Sequence, residues 1–279
     1  MLPDPSGKAT RSDDELKPGF EFEPWTFSVD ADYRANKLTC SGIDPAIWGE
    51  FLDPSHFALL TIRQVNRDGF SINGSVHMVQ HYRQHAPIRA GEEITLKGRV
   101  TGIEPAPRGT LFHAAFEVVR PDGSVPLELR RTSVRMDQDS GSKGPGGSGG
   151  TAPAANPDEG YLGLPKIGEK QMTPEGVGNY SDDKMNRIHD DPEIARQFGF
   201  RAPIAAGIMG SHILMEALVK DGGGPPKTLD MEVRFRRPMF WDELLTVTGE
   251  RTNGHLSRIS LMKPEGKPAC FASVAAVTY

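Results

Sequence analysis

The chain has 279 residues, 37% hydrophobic and 25% charged, which is enough for one large domain or two ordinary ones with a real core. A net charge of −5 argues against a general nucleic-acid binder, and two cysteines, Cys40 and Cys270, exclude a disulfide framework. No apolar run approaches the ~20 residues of a membrane helix, and residues 1–17 contain no signal-peptide core. We therefore expect a cytoplasmic protein that contacts neither nucleic acid nor membrane.

The first half of the chain predicts a helix followed by a sheet. Residues 1–17 are polar, with both signs of charge, and are expected to be disordered or extended. Residues 18–138 begin with a helical or irregular segment and a helix near 54–65, followed by strands near 71–84, 93–103, 111–120 and 127–136. Apolar and polar residues alternate from Thr95 to Val100, which is typical of a sheet with one covered face.

A change of composition then divides the chain. Residues 139–160 read DSGSKGPGGSGGTAPAANPDEG and contain too few apolar side chains to offset the entropy lost on ordering. We interpret them as a flexible linker. Their glycines do not indicate a phosphate-binding loop, because no Gly-Lys-Ser/Thr ending and no following helix accompany them.

The second half, residues 161–279, repeats the order of the first. A helix near 205–220 precedes strands near 228–236, 244–252, 257–262 and 269–278. Segments 87–98 and 238–249 match from proline to glycine, and each is followed by a strand that enters a Pro-acidic-Gly turn. Two helix-plus-meander units predict an α+β fold with one continuous antiparallel sheet around two central helices.

The most informative motif lies before the second helix, in residues 180–209, which read YSDDKMNRIHDDPEIARQFGFRAPIAAGIM. It resembles the active-site loop and helix start of the MaoC-like, or (R)-specific enoyl-CoA hydratase (hydratase 2), family. The spacing from His189 to Gly207, 18 residues, matches that family. The resemblance is good over residues 160–279 and weak over 18–136. The other matching residues are Asn186, Ile188, Asp191-Pro192, Ala195, Gly199-Phe200 and Pro203-Ile204.

The resemblance implies a double hotdog fold and the reversible hydration of a trans-2-enoyl thioester. His189 and a carboxylate would hold and deprotonate one water, and return its proton to the α-carbon. The N–H of Gly207, at a helix start, would stabilise the oxyanion that develops on the thioester. Asn186 would shape the loop. No metal or other cofactor is implied, because coenzyme A enters as part of the substrate.

The loop departs from the family pattern at the catalytic carboxylate. The family has aspartate five residues before the histidine, where this chain has Lys184, and proline where it has Arg187. Asp183, one residue earlier, is the candidate replacement, and the alternative is a site that has lost its carboxylate. A lone His189 would also fit a surface or capping residue before the Asp191-Pro192 helix start.

Further candidates contact the substrate or the sheet. Ile208 would contact the substrate. Arg234 and Arg236 would contact coenzyme A phosphates, although a solvated sheet face is the commoner role of such a run. The series His77, His81 and His85 is interpreted as part of a central strand rather than as a metal site, with a smaller chance that one of them lines a pocket.

The first half has no counterpart of His189, since the repeat offset of 151 places Leu38 there. We therefore expect one active site per chain, with a degenerate first unit that widens the acyl pocket. The expected partner is an acyl-CoA or acyl carrier protein thioester, and a homodimer or higher oligomer stays open. The alternatives are a non-catalytic acyl-thioester binding protein and a hotdog thioesterase.

Overall fold

The computed structural model describes residues 9–72, 75–107, 109–136, 156–181 and 187–279. The first unit consists of β1 (Glu21–Ser28), α1 (Ala31–Cys40), α2 (Ser55–Arg67), β2 (Ser75–Gln84), β3 (Glu93–Ala106), β4 (Gly109–Val119) and β5 (Leu127–Met136). The second consists of β6 (Lys166–Gln171), α3 (Pro174–Tyr180), α4 (Pro192–Gln197), α5 (Gly207–Gly222), β7 (Thr228–Phe235), β8 (Leu244–Thr252), β9 (His255–Met262) and β10 (Pro268–Thr278). None of the described helices is long and apolar enough to cross a membrane.

The ten strands form one antiparallel sheet in the order β1-β3-β4-β5-β2-β7-β10-β9-β8-β6. The two halves of this order mirror each other, as expected for a duplicated unit. They join where β2 pairs with β7, from Val79 opposite Arg234 to Gln84 opposite Leu229. Because each unit contributes an edge strand to this joint, neither edge is left exposed there. The predicted continuous sheet is confirmed.

Helices α2 and α5 form the centre of the molecule. They contact each other, and α5 also packs on β9 and β10. Most side chains of α5 are buried, including Met209, Ile213 and Leu218. A helix that is apolar around most of its circumference is stable only when it is enclosed, and here the sheet and α2 enclose it. Both central helices and the eight predicted strands are found within a few residues of their expected bounds.

Several short elements were missed. Strands β1 and β6 lie at the two ends of the sheet, and β1 contains a proline. An edge strand needs only one hydrogen-bonded side and tolerates proline and exposed residues, so its pattern is weak. Within residues 1–17, predicted to be disordered or extended, Asp13–Glu15 form a 3₁₀ turn and Leu16 is only 4% exposed.

The end of the predicted linker is also packed. Asp158 is 3% exposed and forms ion pairs with Arg236 and Arg237. Tyr161 stacks on Phe271 with ring centroids 3.9 Å apart. The ordered part of the second unit thus begins before residue 161, because the acidic side chain at 158 neutralises two arginines of the sheet. Residues 137–155 lie outside the described part of the chain.

Candidate active site

One cavity of about 600 Å³ extends across both units. The second unit contributes His189, Gly207 and Ile208 to its lining, beside the strand residue Phe235. The first unit contributes a largely apolar part, which includes Leu16, Phe22, Leu59, Val100, Phe112 and Ala114. His189 and Gly207, the two residues matched to the family's chemistry, therefore line the same cavity as side chains of the first unit.

His189 ends a 3₁₀ turn, Arg187–His189, directly before α4. Its Nδ1 lies 2.7 Å from the carbonyl oxygen of Ile204, and the N–H of Ile204 donates to Ile188 at 3.1 Å. A carbonyl oxygen only accepts, so Nδ1 carries the proton and Nε2 presents a lone pair in the neutral ring. These bonds tie the turn to the chain just before α5 and so position the imidazole relative to the helix start.

The helix after His189 is capped by another residue. Asp191 Oδ1 accepts hydrogen bonds from the N–H groups of Glu193, at 2.9 Å, and Ile194, at 3.2 Å. Pro192 occupies the first turn, as the sequence predicted. The alternative capping role for His189 is therefore wrong, because Asp191 performs it.

Gly207 is the first residue of α5, and Ala206 before it supplies no side-chain cap. The first N–H groups of a helix have no intrahelical acceptor and point toward the positive end of the helix dipole. A Cβ added at Gly207 would lie 3.2 Å from Cδ1 of Phe235. Glycine therefore keeps the backbone accessible where the sheet approaches the helix closely.

The predicted loop residues Asp183 and Asn186, together with Lys184, lie in segment 182–186, outside the described residues. Their placement relative to His189 stays a prediction. Among the described residues that line the cavity there is no aspartate or glutamate. Asp183 therefore stays the predicted catalytic carboxylate of this site.

The predicted substrate-contacting residues divide into two groups. Ile208 and Arg236 line the cavity, and Arg236 Nε lies 2.8 Å from Asp158. Arg234 does not line it: its side chain is 46% exposed and pairs with Glu232 at 2.8 Å. Arg234 therefore occupies the solvated sheet face that was the alternative interpretation of this run.

The histidines of β2 play different parts. His81 pairs with Asp230 and His85 pairs with Glu128, each at 2.8 Å. His77 lines the cavity, its ring centroid 4.9 Å from that of Phe235. Burial, followed by the charge of Arg131, lowers the pKa of His77 to about 3, so its ring is neutral.

Sequence reasoning missed a buried polar cluster between the central helices. The potential ligand atoms of Asp53, His56 and His212 lie within 4.8 Å of one another, which would suit a metal. However, Asp53 Oδ2 is hydrogen-bonded to His212 Nδ1 at 2.6 Å, and His56 Nδ1 lies 2.9 Å from the Asp53 carbonyl oxygen. The cluster does not line the cavity, and we interpret it as a link between the units. No local pattern signals it, since Asp53 and His212 are 159 residues apart.

The same aspartate closes the corresponding helix start of the first unit. Ser55 begins α2 as Gly207 begins α5, and the Ser55 N–H donates to Asp53 Oδ1 at 2.7 Å. Both residues are fully buried. The backbone N–H at the start of the central helix could bind a substrate in the second unit, but in the first unit the corresponding N–H is already hydrogen-bonded to Asp53. This is the arrangement expected if the first unit has no active site of its own.

The two wrapped helices, the ten-stranded sheet and the shared cavity define a double hotdog protein. Residues 166–264 match the family model of the MaoC like domain, so the second unit is similar in sequence to that family. A sequence search of curated proteins finds no match.

Solved structures agree on the fold. HtdX of Mycobacterium tuberculosis superposes with a TM-score of 0.72 at 20% identity, covering 90% of this chain and 98% of that one. A MaoC-like dehydratase of Phytophthora capsici gives 0.67 at 19% identity, covering 95% and 98%. A conserved hypothetical protein of M. tuberculosis with a double hotdog fold gives 0.56 at 14%, covering 94% and 97%.

Proposed function

We propose that this protein catalyses the reversible hydration of a trans-2-enoyl thioester, which in reverse is the dehydration of an (R)-3-hydroxyacyl thioester. One observation carries the proposal: within the segment that matches the MaoC like domain, His189 and the first residue of α5, Gly207, line the same cavity. An acid–base group and a helix N-terminus are the parts that such a reaction needs.

The chemistry follows from the orientation of His189. With the proton on Nδ1 held by Ile204, the Nε2 lone pair accepts a proton from water. The hydroxyl adds to the β-carbon and the proton passes to the α-carbon. Negative charge develops meanwhile on the thioester oxygen, where the Gly207 N–H and the dipole of α5 stabilise it. Asp183 is proposed as the carboxylate that holds the water with His189.

The acyl group would extend from this point into the first unit. Apolar side chains such as Phe112 and Val100 line that part of the cavity and exclude water from the chain. The carrier, coenzyme A or acyl carrier protein, would remain at the mouth. Arg236 belongs to the same lining and is a candidate contact for its phosphates.

Two rivals are tested by the same experiment. Lys184 at the position of the family aspartate favours a non-catalytic thioester-binding protein, and a thioesterase would use the same cavity. Purified protein is incubated with crotonyl-CoA. Hydration removes the enoyl absorbance without releasing thiol, thioester hydrolysis releases free thiol, and a binding protein does neither. Only the first outcome supports the proposal.

A further inference from the structure

One arginine in the wall of the cavity has no counter-ion among the described residues. Arg131 lies on β5, where it is paired with Gln80 of β2 and Ala114 of β4, so it belongs to the inner face of the sheet. Its side chain lines the cavity. Its guanidinium lies 3.4 Å from Thr61 Oγ1 and 5.8 Å from the ring centroid of Phe116. These neighbours are neutral.

Three other arginines of the cavity lining differ from Arg131 because each forms an ion pair. Arg135 pairs with Asp13 and also donates to the Ser71 carbonyl. Arg236 and Arg237 share Asp158. Arg131 alone of these four forms no ion pair with any carboxylate in the described part of the chain. The described lining itself supplies no acidic side chain to it.

Arg131 nevertheless remains a cation. Burial, with a smaller contribution from Arg135, lowers its pKa to about 10, which still leaves it protonated at neutral pH. A partly buried charge without a counter-ion is costly, and a ligand that supplies the opposite charge removes that cost. The guanidinium is also well shaped to bind a carboxylate through two hydrogen bonds.

A second polar group lies beside it. His77 of β2 lines the same cavity, and its strand partner on β5 is Ser133, two residues from Arg131. Neither ring nitrogen of His77 forms a hydrogen bond of normal geometry within the described residues, although the Val79 backbone and the Gln80 side chain are close enough to oppose part of the lowering of its pKa. A neutral imidazole carries one N–H, so it could donate to the same anion. The cavity thus combines apolar walls with a cation and a spare donor.

We propose that Arg131, assisted by His77, binds a carboxylate on the acyl group, so that the protein prefers thioesters of dicarboxylic acids to simple fatty acyl thioesters. The assignment of this anion as part of a substrate rests on the proposed function, because the cavity is the one that His189 and Gly207 line. A phosphate of coenzyme A is the other possible source of an anion. The position of Arg131 among residues of the first unit favours the acyl group.

Binding of saturated thioesters tests this preference without any reaction. Dissociation constants are measured by calorimetry for succinyl-, glutaryl- and adipyl-CoA. They are compared with those of butyryl-, pentanoyl- and hexanoyl-CoA, which have the same number of acyl carbons and a methyl group in place of the carboxylate. The wild-type protein should bind at least one dicarboxylic thioester at least about tenfold more tightly than its neutral partner, as expected for a charged hydrogen bond. No preference at any chain length would overturn the proposal.

Two variants of the same strand sharpen the test. Arg131→Met should abolish the preference by weakening only the dicarboxylic thioesters. Arg135→Met, on the same face but with its own ion-pair partner, should retain it. Equal weakening of both series by Arg131→Met would instead show a contact with coenzyme A and reject the carboxylate site. Stabilisation against heat by adipyl-CoA provides a second readout, and it should disappear in Arg131→Met alone.

The outcome is independent of catalysis. If the protein prefers adipyl-CoA through Arg131 but hydrates neither crotonyl-CoA nor the unsaturated dicarboxylic thioester, the carboxylate site is supported and the hydratase function is rejected. If it hydrates crotonyl-CoA but shows no preference for dicarboxylic thioesters, the hydratase function is supported and the carboxylate site is rejected. Arg131→Met should also melt no lower than the wild type without ligand, because it removes a partly buried charge that has no counter-ion among the described residues.

Discussion

Asp53 Oδ2 and His212 Nδ1 lie 2.6 Å apart, and both side chains are fully buried. The bond joins the residue before the N-cap of α2 to the second turn of α5, and therefore one unit to the other. The other oxygen of Asp53 accepts the Ser55 N–H. One carboxylate thus stabilises the inter-unit contact and closes the helix start of the first unit.

Removing this carboxylate should destabilise the whole fold. Asp53→Ala leaves the buried His212 ring and the Ser55 N–H without an acceptor, and we expect a loss of about 3 kcal/mol in the free energy of unfolding. Urea denaturation measures it. Asp230→Ala is the control, because Asp230 pairs with His81 at the partly exposed joint of the sheet, where the loss should stay below about 1 kcal/mol. Equal losses would contradict the structural role of Asp53.

Stability should depend on pH in the acid range. Burial, then the nearby His212, lowers the pKa of His56 to about 4 against the opposing effect of Asp53. In the unfolded chain the histidine pKa is about 6.5, so between pH 6.5 and 4 the unfolded state binds a proton that the native state does not bind. The contribution of His56 to the free energy of unfolding should therefore be at its maximum above about pH 6.5 and decrease as the pH falls toward 4. His77, with its pKa lowered to about 3, contributes in the same direction. Urea titrations at several pH values measure the slope, which His56→Asn should reduce; a slope unchanged in that variant would reject the assignment.

Replacing His189 by alanine should abolish hydration while the fold persists. We expect a decrease of at least ~10² in turnover of an enoyl-CoA, as for removal of an acid–base group. His85→Ala, which removes an exposed partner of Glu128, is the control and should retain turnover. Near-normal turnover in His189→Ala would mean that its bond to Ile204 is only structural.

A methyl group at the start of α5 should obstruct the oxyanion site. In Gly207→Ala the new Cβ would lie 3.2 Å from Phe235 Cδ1, so the helix start or the ring must shift. We expect turnover to fall about tenfold or more, in line with a displaced oxyanion donor. Gly224→Ala is the matched control, since a Cβ there meets nothing within 4 Å. Full activity of Gly207→Ala would exclude a role for this N–H in catalysis.

The loop before His189 carries the sharpest catalytic prediction. If Asp183 replaces the family aspartate, Asp183→Asn should abolish hydration and Lys184→Ala should have a mild effect. The reason is that a carboxylate must share the water with His189, whereas an ammonium beside it would oppose protonation of the imidazole. Steady-state rates of the two variants decide the matter. The reverse order of severity would remove Asp183 from the mechanism.

The amino-acid pattern by itself determined the repeated fold and one wall of the site. Alternation within strands, the proline-to-glycine signature and the run from His189 to Gly207 are local, so they can be recognised along one chain. The edge strands β1 and β6 were missed because their local pattern is weak. An edge strand has a neighbouring strand on one side only, so half of its backbone groups need no partner strand and exposed residues are tolerated.

Only the tertiary structure decided what the two units share. The Asp53–His212 bond and the cavity that connects His189 to Arg131 join residues far apart in the chain. The tertiary structure also decided the roles of the arginines. Arg236 is neutralised by Asp158, whereas Arg131 has no counter-ion among the described residues, although the sequence predicts that both lie on strands. Whether a charge is compensated depends on which side chains the fold brings within a few ångströms of it, and no periodicity along the chain encodes that distance.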